Sequence, residues 1–295
     1  RGYYRVVTNA FGMRDSVDWG VRPAGDARRI ITLGDSFTAG DGVDNEERFT
    51  DRLTREVPGL QVLNFGLPSS GTGQQILVFE QLASRVGGDA ILCCPLVENI
   101  RRVTARYRPG IERQDRAPVL VPKPYFVLDN GRLELRGVPV PIQRTPLHDA
   151  PAEVLAQADL PSLASIRRVV NHPALYRFKE RLIRLGGFDP YPQYAKPDHQ
   201  SWLLMRALLR RLVEGAGGRR VLLAPLPTYH YVEGLAAPTY VERFREFAAE
   251  MPGVLLVDVL AEFQRLSPGE RRACRYRRDV HYTPLGHAVV ARAIR

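Results

Sequence analysis

The sequence predicts an α/β protein built on a parallel sheet. Five short apolar runs are rich in leucine and β-branched residues and lack strict alternation, which is typical of strands buried on both faces. Helix-like segments separate these runs along the chain. Strands that alternate with helices form βαβ units, and such units produce parallel sheets.

The predicted strands share this apolar character and lie in both halves of the chain. They are RRIITLG (28–34), LQVLNFG (60–66), DAILCCPL (89–96), RRVLLAPLP (219–227) and GVLLVDV (253–259).

The predicted helices show apolar residues at helical spacing. In EERFTDRLTREV, between the first two strands, Phe49, Leu53 and Val57 recur in this way. GQQILVFEQLASRV follows the second strand, and TYVERFREFAAEM separates the fourth from the fifth. HQSWLLMRALLRRLVEGAGG precedes the fourth strand and ends in a glycine pair, which is a helix-stop signal.

Residues 105–195 interrupt the strand–helix alternation. Within them, KPYFVLDNGRLELRGVPVP predicts a hairpin with Asn130-Gly131 at a two-residue turn. Proline-punctuated loops follow, and short helices are expected around 150–185. We therefore expect one domain over 1–295, with 105–195 as an insertion that covers one end of the sheet as a lid or cap.

Composition and charge limit the function classes. The chain has 295 residues, of which 44% are hydrophobic and 25% charged, as in ordinary soluble globular proteins. Its net charge of +10 comes mainly from arginine, which a GC-rich genome explains, with attraction to anionic partners as the alternative. Neither a basic helix interleaved with aromatic residues nor a zinc-finger spacing is present, so nucleic-acid binding is not expected.

Localisation and assembly stay open at this point. No apolar run approaches the ~18 residues of a membrane span. The chain begins with Arg1 rather than Met, so the compartment is cytoplasmic or, if a leader was removed, periplasmic or extracellular. Cys93 and Cys94 are expected as small core residues on opposite faces of a strand, and three cysteines provide no disulfide framework. The oligomeric state is not predicted.

The stretch IITLGDSFTAGDGV (30–43) ends the first strand with a glycine-rich turn. A phosphate-binding loop would need a lysine after Gly40 or a G-x-G-x-x-G spacing, and neither is present. Two interpretations remain: a tight turn with an incidental Ser36, or a strand-end position that presents Ser36 as a nucleophile.

A second stretch, RRDVHYTPLGHAVVARAI, supports the nucleophile. A serine hydroxyl needs a base to take its proton, and that base needs a carboxylate that fixes its tautomer. Alternate residues of an extended loop face the same side, so Asp279 can hold one ring nitrogen of His281 while the other faces Ser36. Both segments are predicted at the carboxyl ends of strands, where ligands bind in open α/β sheets.

Two further strand ends carry candidate oxyanion donors. Gly66 follows the second strand with a bare backbone, and Asn99 follows the third strand with a side-chain amide. Together with the Ser36 N–H, these groups are predicted to form an oxyanion hole.

The chain resembles the SGNH (GDSL-type) hydrolase family. The four motif positions of that family match, in order, Ser36 in Gly34-Asp35-Ser36, Gly66, Asn99 and His281. The resemblance covers roughly 28–104 and 219–295. It implies a flavodoxin-like three-layer α/β/α sandwich with a Ser-His-Asp triad and no metal, and it does not cover the insertion. The five apolar runs predict a five-stranded parallel sheet with the insertion after the third strand, and no cofactor is expected.

Two departures from the family pattern leave the activity open. The third block usually reads Gly-x-Asn-Asp, whereas here it is Val97-Glu98-Asn99-Ile100, so Glu98 is a rival for the rim carboxylate. The last block is often Asp-x-x-His. The shorter Asp279-x-His281 is similar to the alginate O-acetyltransferase-like branch, whose members acylate glycans.

The leading hypothesis is a serine esterase that removes small acyl groups from a carbohydrate or another hydroxylated metabolite. An O-acyltransferase and a catalytically silent binding module are the alternatives. Tyr229, His230 and Tyr231 are candidate substrate contacts on the same rim, with ordinary loop packing as the alternative. Arg101 and Arg102 are candidates to contact an anionic substrate group, with solvated surface arginines as the alternative. His287 is expected to be structural, and His148, His172 and His199 are too scattered to indicate a metal site.

Overall fold

The structure, a computed structural model, describes residues 4–20, 25–112, 116–160, 189–277 and 279–295. Its strands, in chain order, are β1 (Arg28–Gly34), β2 (Leu60–Gly66), β3 (Ala90–Cys94), β4 (Tyr107–Ile111), β5 (Pro118–Pro122), β6 (Tyr125–Asp129), β7 (Arg132–Arg136), β8 (Thr145–Pro146), β9 (Arg220–Leu223) and β10 (Val254–Leu256).

The α-helices of the described residues range from one turn to more than four. They are α1 (Ser36–Ala39), α2 (Phe49–Glu56), α3 (Thr72–Val78), α4 (Ser84–Val86), α5 (Asn99–Arg102), α6 (Ala152–Ala156), α7 (Gln200–Gly215), α8 (Tyr229–Val232), α9 (Tyr240–Glu250), α10 (Val259–Gln264), α11 (Pro268–Ala273) and α12 (Pro284–Ile294). A π-turn over Phe79–Ala83 joins α3 to α4, and 3₁₀ turns cover Asn45–Glu47, Leu147–Asp149 and Pro192–Tyr194. Among these helices, none is long and apolar enough to cross a bilayer.

The central sheet has five parallel strands in the order β2-β1-β3-β9-β10. The register places Gly34, at the end of β1, beside Gly66 of β2 and Cys94 of β3. The carboxyl ends of these three strands therefore meet at one edge, which we call the rim. The chain reverses its direction of strand addition between β1 and β3, and ligands of open α/β sheets bind at such a point.

Helices cover both faces of the sheet, which gives the predicted three-layer α/β/α sandwich. One core cluster joins the sheet to α3, α7 and α9, and the other joins it to α2, α10 and α12. Cys93 belongs to the first cluster and Cys94 to the second. Their opposite orientation follows from the period of two along a strand and confirms the prediction for this pair.

Between β3 and β9 the chain leaves the parallel sheet. β4, β5 and β8 form an antiparallel sheet, and β6 pairs with β7 as a hairpin. Asn130 (φ 46°) and Gly131 (φ 78°) occupy the turn, as predicted, because a tight hairpin turn of this type needs positive φ at both central residues. The Phe126 side chain is buried in the core beside α3, so the hairpin packs on one helical layer.

Residues 157–160 of the insertion lie close to the rim. The backbone around Gln157 bonds to Arg106 and Tyr107, which brings 157–160 close to α5. Helix α6 falls in the region where short helices are expected. The other short helices, expected over 161–185, lie outside the described residues. The role of the insertion as a lid or cap stays a prediction.

Candidate active site

Ser36 lies at the carboxyl end of β1 as the first residue of α1. Asp35 is the N-cap, and its Oδ1 accepts a 3.0 Å hydrogen bond from the Phe37 N–H. A Cβ at Gly34 would lie 2.0 Å from the Thr38 hydroxyl oxygen, so the turn from β1 into α1 is tight enough to require glycine. The turn leaves Ser36 9% exposed at the rim.

His281 and Asp279 meet Ser36 from the loop before α12. The Nε2 atom of His281 lies 2.8 Å from Ser36 Oγ, and its Nδ1 atom lies 2.5 Å from Asp279 Oδ1. Asp279 Oδ1 also accepts a 3.0 Å bond from the His281 backbone N–H. The two ring nitrogens therefore face a hydroxyl and a carboxylate on opposite sides, which is the arrangement of a nucleophile, its base and an orienting carboxylate.

Packing around this loop fixes the imidazole. The Phe37 ring lies 4.8 Å from the His281 ring and makes an edge contact with Tyr282 at 4.9 Å. The Tyr282 hydroxyl donates a 2.5 Å bond to the Pro227 carbonyl, which ties the loop to the residues after β9. Thr283 is the N-cap of α12 and donates from its hydroxyl to the Ala273 carbonyl at 2.7 Å.

Asn99 lies in α5, just beyond β3, and its side chain is fully buried. Its Oδ1 accepts a hydrogen bond of 3.3 Å from Arg102 Nη1. Its Nδ2 has no hydrogen-bond partner among the described residues. A buried amide donor without a partner is uncommon in folded proteins, and such a donor at the rim is suited to a ligand oxygen.

The backbone N–H of Gly66 already has a hydrogen-bond partner, which the sequence did not suggest. Its N–H donates a 2.8 Å bond to the side-chain Oδ1 of Asn64. A Cβ at Gly66 would lie 2.4 Å from the Ala39 nitrogen, so glycine is required here for the close approach of β2 to α1. The steric reason for Gly66 is therefore clear, while its role as an oxyanion donor stays a prediction that requires exchange of the Asn64 bond.

Arg102 links several groups at the rim, a connection that the sequence did not indicate. Its Nη1 lies 3.3 Å from Asp35 Oδ2 and 3.2 Å from the Ser70 carbonyl oxygen, in addition to the contact with Asn99. Complete burial raises the pKa of Asp35 to about 6, and the Arg102 guanidinium opposes this rise. Arg102 therefore favours the ionised form of the carboxylate that caps the nucleophile helix.

Glu98 does not contact His281 in the described structure. Its Oε1 accepts a 3.1 Å bond from Arg102 Nη2, and its Oε2 accepts a 3.2 Å bond from the Tyr191 hydroxyl. Asp279, rather than this rival, is thus the carboxylate on the imidazole.

The guanidinium of Arg101 contacts the insertion. Its Nη2 donates a 2.7 Å bond to the Leu160 carbonyl and lies 3.7 Å from Asp159. Substrate contact by Arg101 stays a prediction, with its guanidinium bonded to Leu160 and paired with Asp159. The next residue, Arg102, reaches the rim.

Tyr229 and His230 form part of an aromatic group on α8. Their rings lie 3.9 Å apart, the Arg275 guanidinium lies 4.4 Å above the Tyr229 ring, and Tyr191 makes an edge contact with His230 at 6.3 Å. The Thr228 hydroxyl lies 3.3 Å from His230 Nδ1. Both residues follow β9 at the rim, and substrate contact by them stays a prediction.

His287 is buried and structural, as expected. Its Nδ1 accepts a 3.3 Å bond from the Phe49 N–H, and the two rings stack at 5.9 Å. Burial, together with nearby arginines, lowers the pKa of His287 to about 3, so its imidazole is neutral near pH 7. Over the described part of the chain, no three His, Cys, Asp or Glu side chains gather as a metal site would require; His172 lies outside it.

The N-terminal segment 4–20 supports the nucleophile turn, another connection that sequence reasoning missed. Arg14 donates from Nη1 to the carbonyls of Ala39 (2.9 Å) and Gly40 (2.5 Å), and from Nε to Asn45 Oδ1 (2.8 Å). Its Nη2 bonds to the Val43 carbonyl. These bonds satisfy carbonyls at the end of α1, and the chain between Arg14 and α1 offers no local pattern that predicts them.

No family model matches the sequence, and no curated protein is similar enough to match it. An acetylxylan esterase from Geobacillus stearothermophilus is 18% identical, with 92% of this chain and 93% of that chain covered and a TM-score of 0.47. A lipase from a goat rumen metagenome is 13% identical, with 91% and 96% covered and a TM-score of 0.49.

A third solved structure is a member of the lipolytic G-D-S-L family from Veillonella parvula DSM 2008. It is 13% identical, with 90% of this chain and 96% of that chain covered and a TM-score of 0.47. The chain's own sheet order, and the positions of Ser36, Asn99 and His281 at one rim, agree with the predicted architecture. The chain therefore has a three-layer α/β/α fold around a five-stranded parallel sheet, as its own topology shows.

Proposed function

We propose that this chain is a serine esterase of the SGNH type that acts on a small-molecule or glycan ester and removes a small O-acyl group. The observation that carries the proposal is the continuous contact from Ser36 Oγ to His281 Nε2 (2.8 Å) and from His281 Nδ1 to Asp279 Oδ1 (2.5 Å). A hydroxyl, an imidazole and a carboxylate in this order can generate an alkoxide nucleophile at neutral pH.

Acylation begins when Ser36 Oγ attacks the ester carbonyl carbon while His281 Nε2 takes the hydroxyl proton. Asp279 accepts the Nδ1–H bond, holds the imidazole in the required tautomer and stabilises the imidazolium. The tetrahedral intermediate then collapses: the bond to the leaving oxygen breaks, and His281 returns the proton to that oxygen. The products are the free alcohol and an acyl ester on Ser36.

Deacylation repeats these steps with water. His281 takes a proton from the water, whose oxygen attacks the acyl carbon, and it then returns the proton to Ser36 Oγ as the carboxylic acid leaves. In both halves the negative oxygen needs donors. The Asn99 Nδ2, which has no partner in the part of the chain that the structure describes, and the Ser36 N–H are the proposed donors. The Gly66 N–H joins them if its bond to Asn64 is exchanged.

The proposal is tested by turnover of p-nitrophenyl acetate and longer acyl esters by the whole chain. We expect hydrolysis that is abolished by prior reaction with a fluorophosphonate, with the label on Ser36. A chain that hydrolyses none of these esters and takes up no label is not a serine esterase, and the silent binding module is then the better interpretation.

An O-acyltransferase is the second candidate, favoured by the Asp279-x-His281 spacing. The same acyl-enzyme would form, but a sugar or metabolite hydroxyl would replace water in the second half. Supplying an acyl donor with and without an acceptor glycan separates the two functions: acyl transfer in preference to hydrolysis identifies the transferase, and release of free acid regardless of the acceptor identifies the esterase.

A further inference from the structure

We infer that Arg102 is a positioning residue that fixes the orientation of the Asn99 amide, so that Nδ2 rather than Oδ1 faces the reacting oxygen. This inference rests on the proposed function, because it concerns a donor of the proposed oxyanion hole. It assigns a role to a residue that follows Asn99 by three positions and lies outside the motif residues that the sequence singled out.

The amide orientation follows from the chemistry of the two groups. A guanidinium has only donors, so the amide atom nearest to it has to be the oxygen. Arg102 Nη1 lies 3.3 Å from Asn99 Oδ1. Rotation of the amide by half a turn would place its NH₂ group against the guanidinium and its oxygen towards the site, where it would repel an oxyanion. Arg102 therefore selects the orientation in which Asn99 can donate.

The guanidinium itself is held by acceptors on several segments. Its Nη2 bonds to Glu98 Oε1 at 3.1 Å, and its Nε bonds to Asp159 Oδ2 at 3.1 Å. Its Nη1 also faces the Ser70 carbonyl at 3.2 Å and Asp35 Oδ2 at 3.3 Å. The planar guanidinium of an arginine directs its N–H donors in fixed directions and can bond to all of these acceptors, whereas the single ammonium of a lysine cannot.

The same contacts join the donor to the nucleophile. Asp35, which caps α1 next to Ser36, shares Nη1 of Arg102 with Asn99. Asp159 brings the insertion into this network, since it lies after β4–β8 and bonds to the opposite edge of the guanidinium. Arg102 thus keeps the donor and the nucleophile helix at a fixed separation.

A double-mutant cycle on the full chain tests the inference. We expect Asn99→Ala to lower kcat/KM for p-nitrophenyl acetate by ~10²–10³-fold, as for loss of one oxyanion donor. Arg102→Gln should lower it by about 10–100-fold in the wild-type background but only a few-fold in the Asn99→Ala background, since residues that act as a unit are not additive. The loss should fall mainly on kcat.

Three further variants keep the test informative. Arg211→Gln is the matched control, because Arg211 of α7 also forms a two-bond ion pair, with Glu80 of the π-turn after α3. It should lose little activity in either background. Thermal unfolding establishes that each variant is folded; if Arg102→Gln does not fold, Arg102→Lys and Asp159→Asn carry the same cycle, each with a smaller loss that also shrinks in the Asn99→Ala background.

Each outcome decides one of the two proposals. Losses for Arg102 that are equally large with and without Asn99, or equal to those of the Arg211→Gln control, overturn the positioning role while the esterase stands. A wild-type chain that turns over no ester overturns the proposed function, and this inference falls with it.

Discussion

The side-chain oxygen of Asn64 accepts a 2.8 Å hydrogen bond from the backbone N–H of Gly66. The amide nitrogen of the same buried side chain donates to the Thr38 carbonyl at 2.7 Å and to the Thr50 hydroxyl at 2.9 Å. One asparagine of β2 therefore ties the end of its own strand to α1, which carries Ser36, and to α2. The position of the nucleophile depends in part on this side chain.

Replacement of Asn64 by alanine should destabilise the protein and slow turnover. The change removes the side-chain partner of the half-buried Gly66 N–H and of the buried Thr38 carbonyl. A buried group left unpaired costs about 1–3 kcal/mol of unfolding free energy. Urea unfolding gives the stability, and kcat on p-nitrophenyl acetate gives the effect on α1. Unchanged stability would show that water or another group replaces the amide at no cost.

Ser36→Ala should remove ester turnover while it leaves the fold intact. The loss of a triad member is expected to lower kcat by ~10³ or more, whereas the removal of one small hydroxyl leaves the thermal unfolding midpoint close to that of the wild type. Fluorophosphonate labelling followed by peptide mapping should find Ser36 alone. A label on Ser69 or Ser70, or activity above about a tenth of the wild type, would contradict the assignment of the nucleophile.

Asp279→Asn and Glu98→Gln should differ strongly in activity. Asp279 holds His281 Nδ1, so its amide variant should preserve the fold yet lower kcat by up to ~10⁴ through the wrong tautomer. Glu98 contacts Arg102 and Tyr191, so Glu98→Gln should cost far less. Parallel kcat measurements across pH separate the two. A severe loss in Glu98→Gln beside a nearly silent Asp279→Asn would mean that the triad carboxylate is Glu98.

His287 should make the stability of the protein depend on pH. Its pKa is about 3 in the folded state against 6.5 for the free side chain. Between these values the unfolded chain binds a proton that the folded protein excludes. The contribution of His287 is therefore present above pH 6.5 and is lost as pH falls, by up to about 1.4 kcal/mol per pH unit.

Unfolding free energies from urea titrations between pH 4 and 8 test this. In His287→Asn the side-chain oxygen can still accept from the Phe49 N–H, but nothing titrates, so the fall in stability below pH 6.5 should be shallower than in the wild type. His148, whose side chain is 72% exposed, provides the control: His148→Gln should retain the wild-type slope. Equal slopes in all three proteins would contradict the assignment to His287.

The central sheet was predictable because strands buried on both faces leave continuous apolar runs. The first two runs match β1 and β2 to the residue, and the other three contain β3, β9 and β10. The contacts among Ser36, His281 and Asp279 were expected for a different reason. A serine nucleophile needs a base, and that base needs an orienting carboxylate, so few residue types can occupy these positions.

The side chains that support this group were not predictable. Arg101 and Arg102 are chemically identical, and about 100° of helix rotation separates them, so only the orientation of α5 against the sheet decides which one reaches the rim. Asn64 resembles any polar residue near a strand end. Arg14 bonds to carbonyls 25 or more positions away, and backbone carbonyls carry no signature in the sequence.

The separation of the Ser36 and His281 partners by 245 positions has a consequence during synthesis of the chain. When β1 and α1 have emerged from the ribosome, Ser36 is present without its base. The loop with Asp279 and His281 emerges only after every strand of the central sheet. Under the proposed function, ester hydrolysis by the growing polypeptide is therefore prevented until the sheet can close around its last segment. A nascent chain halted before residue 279 should leave cellular esters untouched, even when its nucleophile turn has already formed.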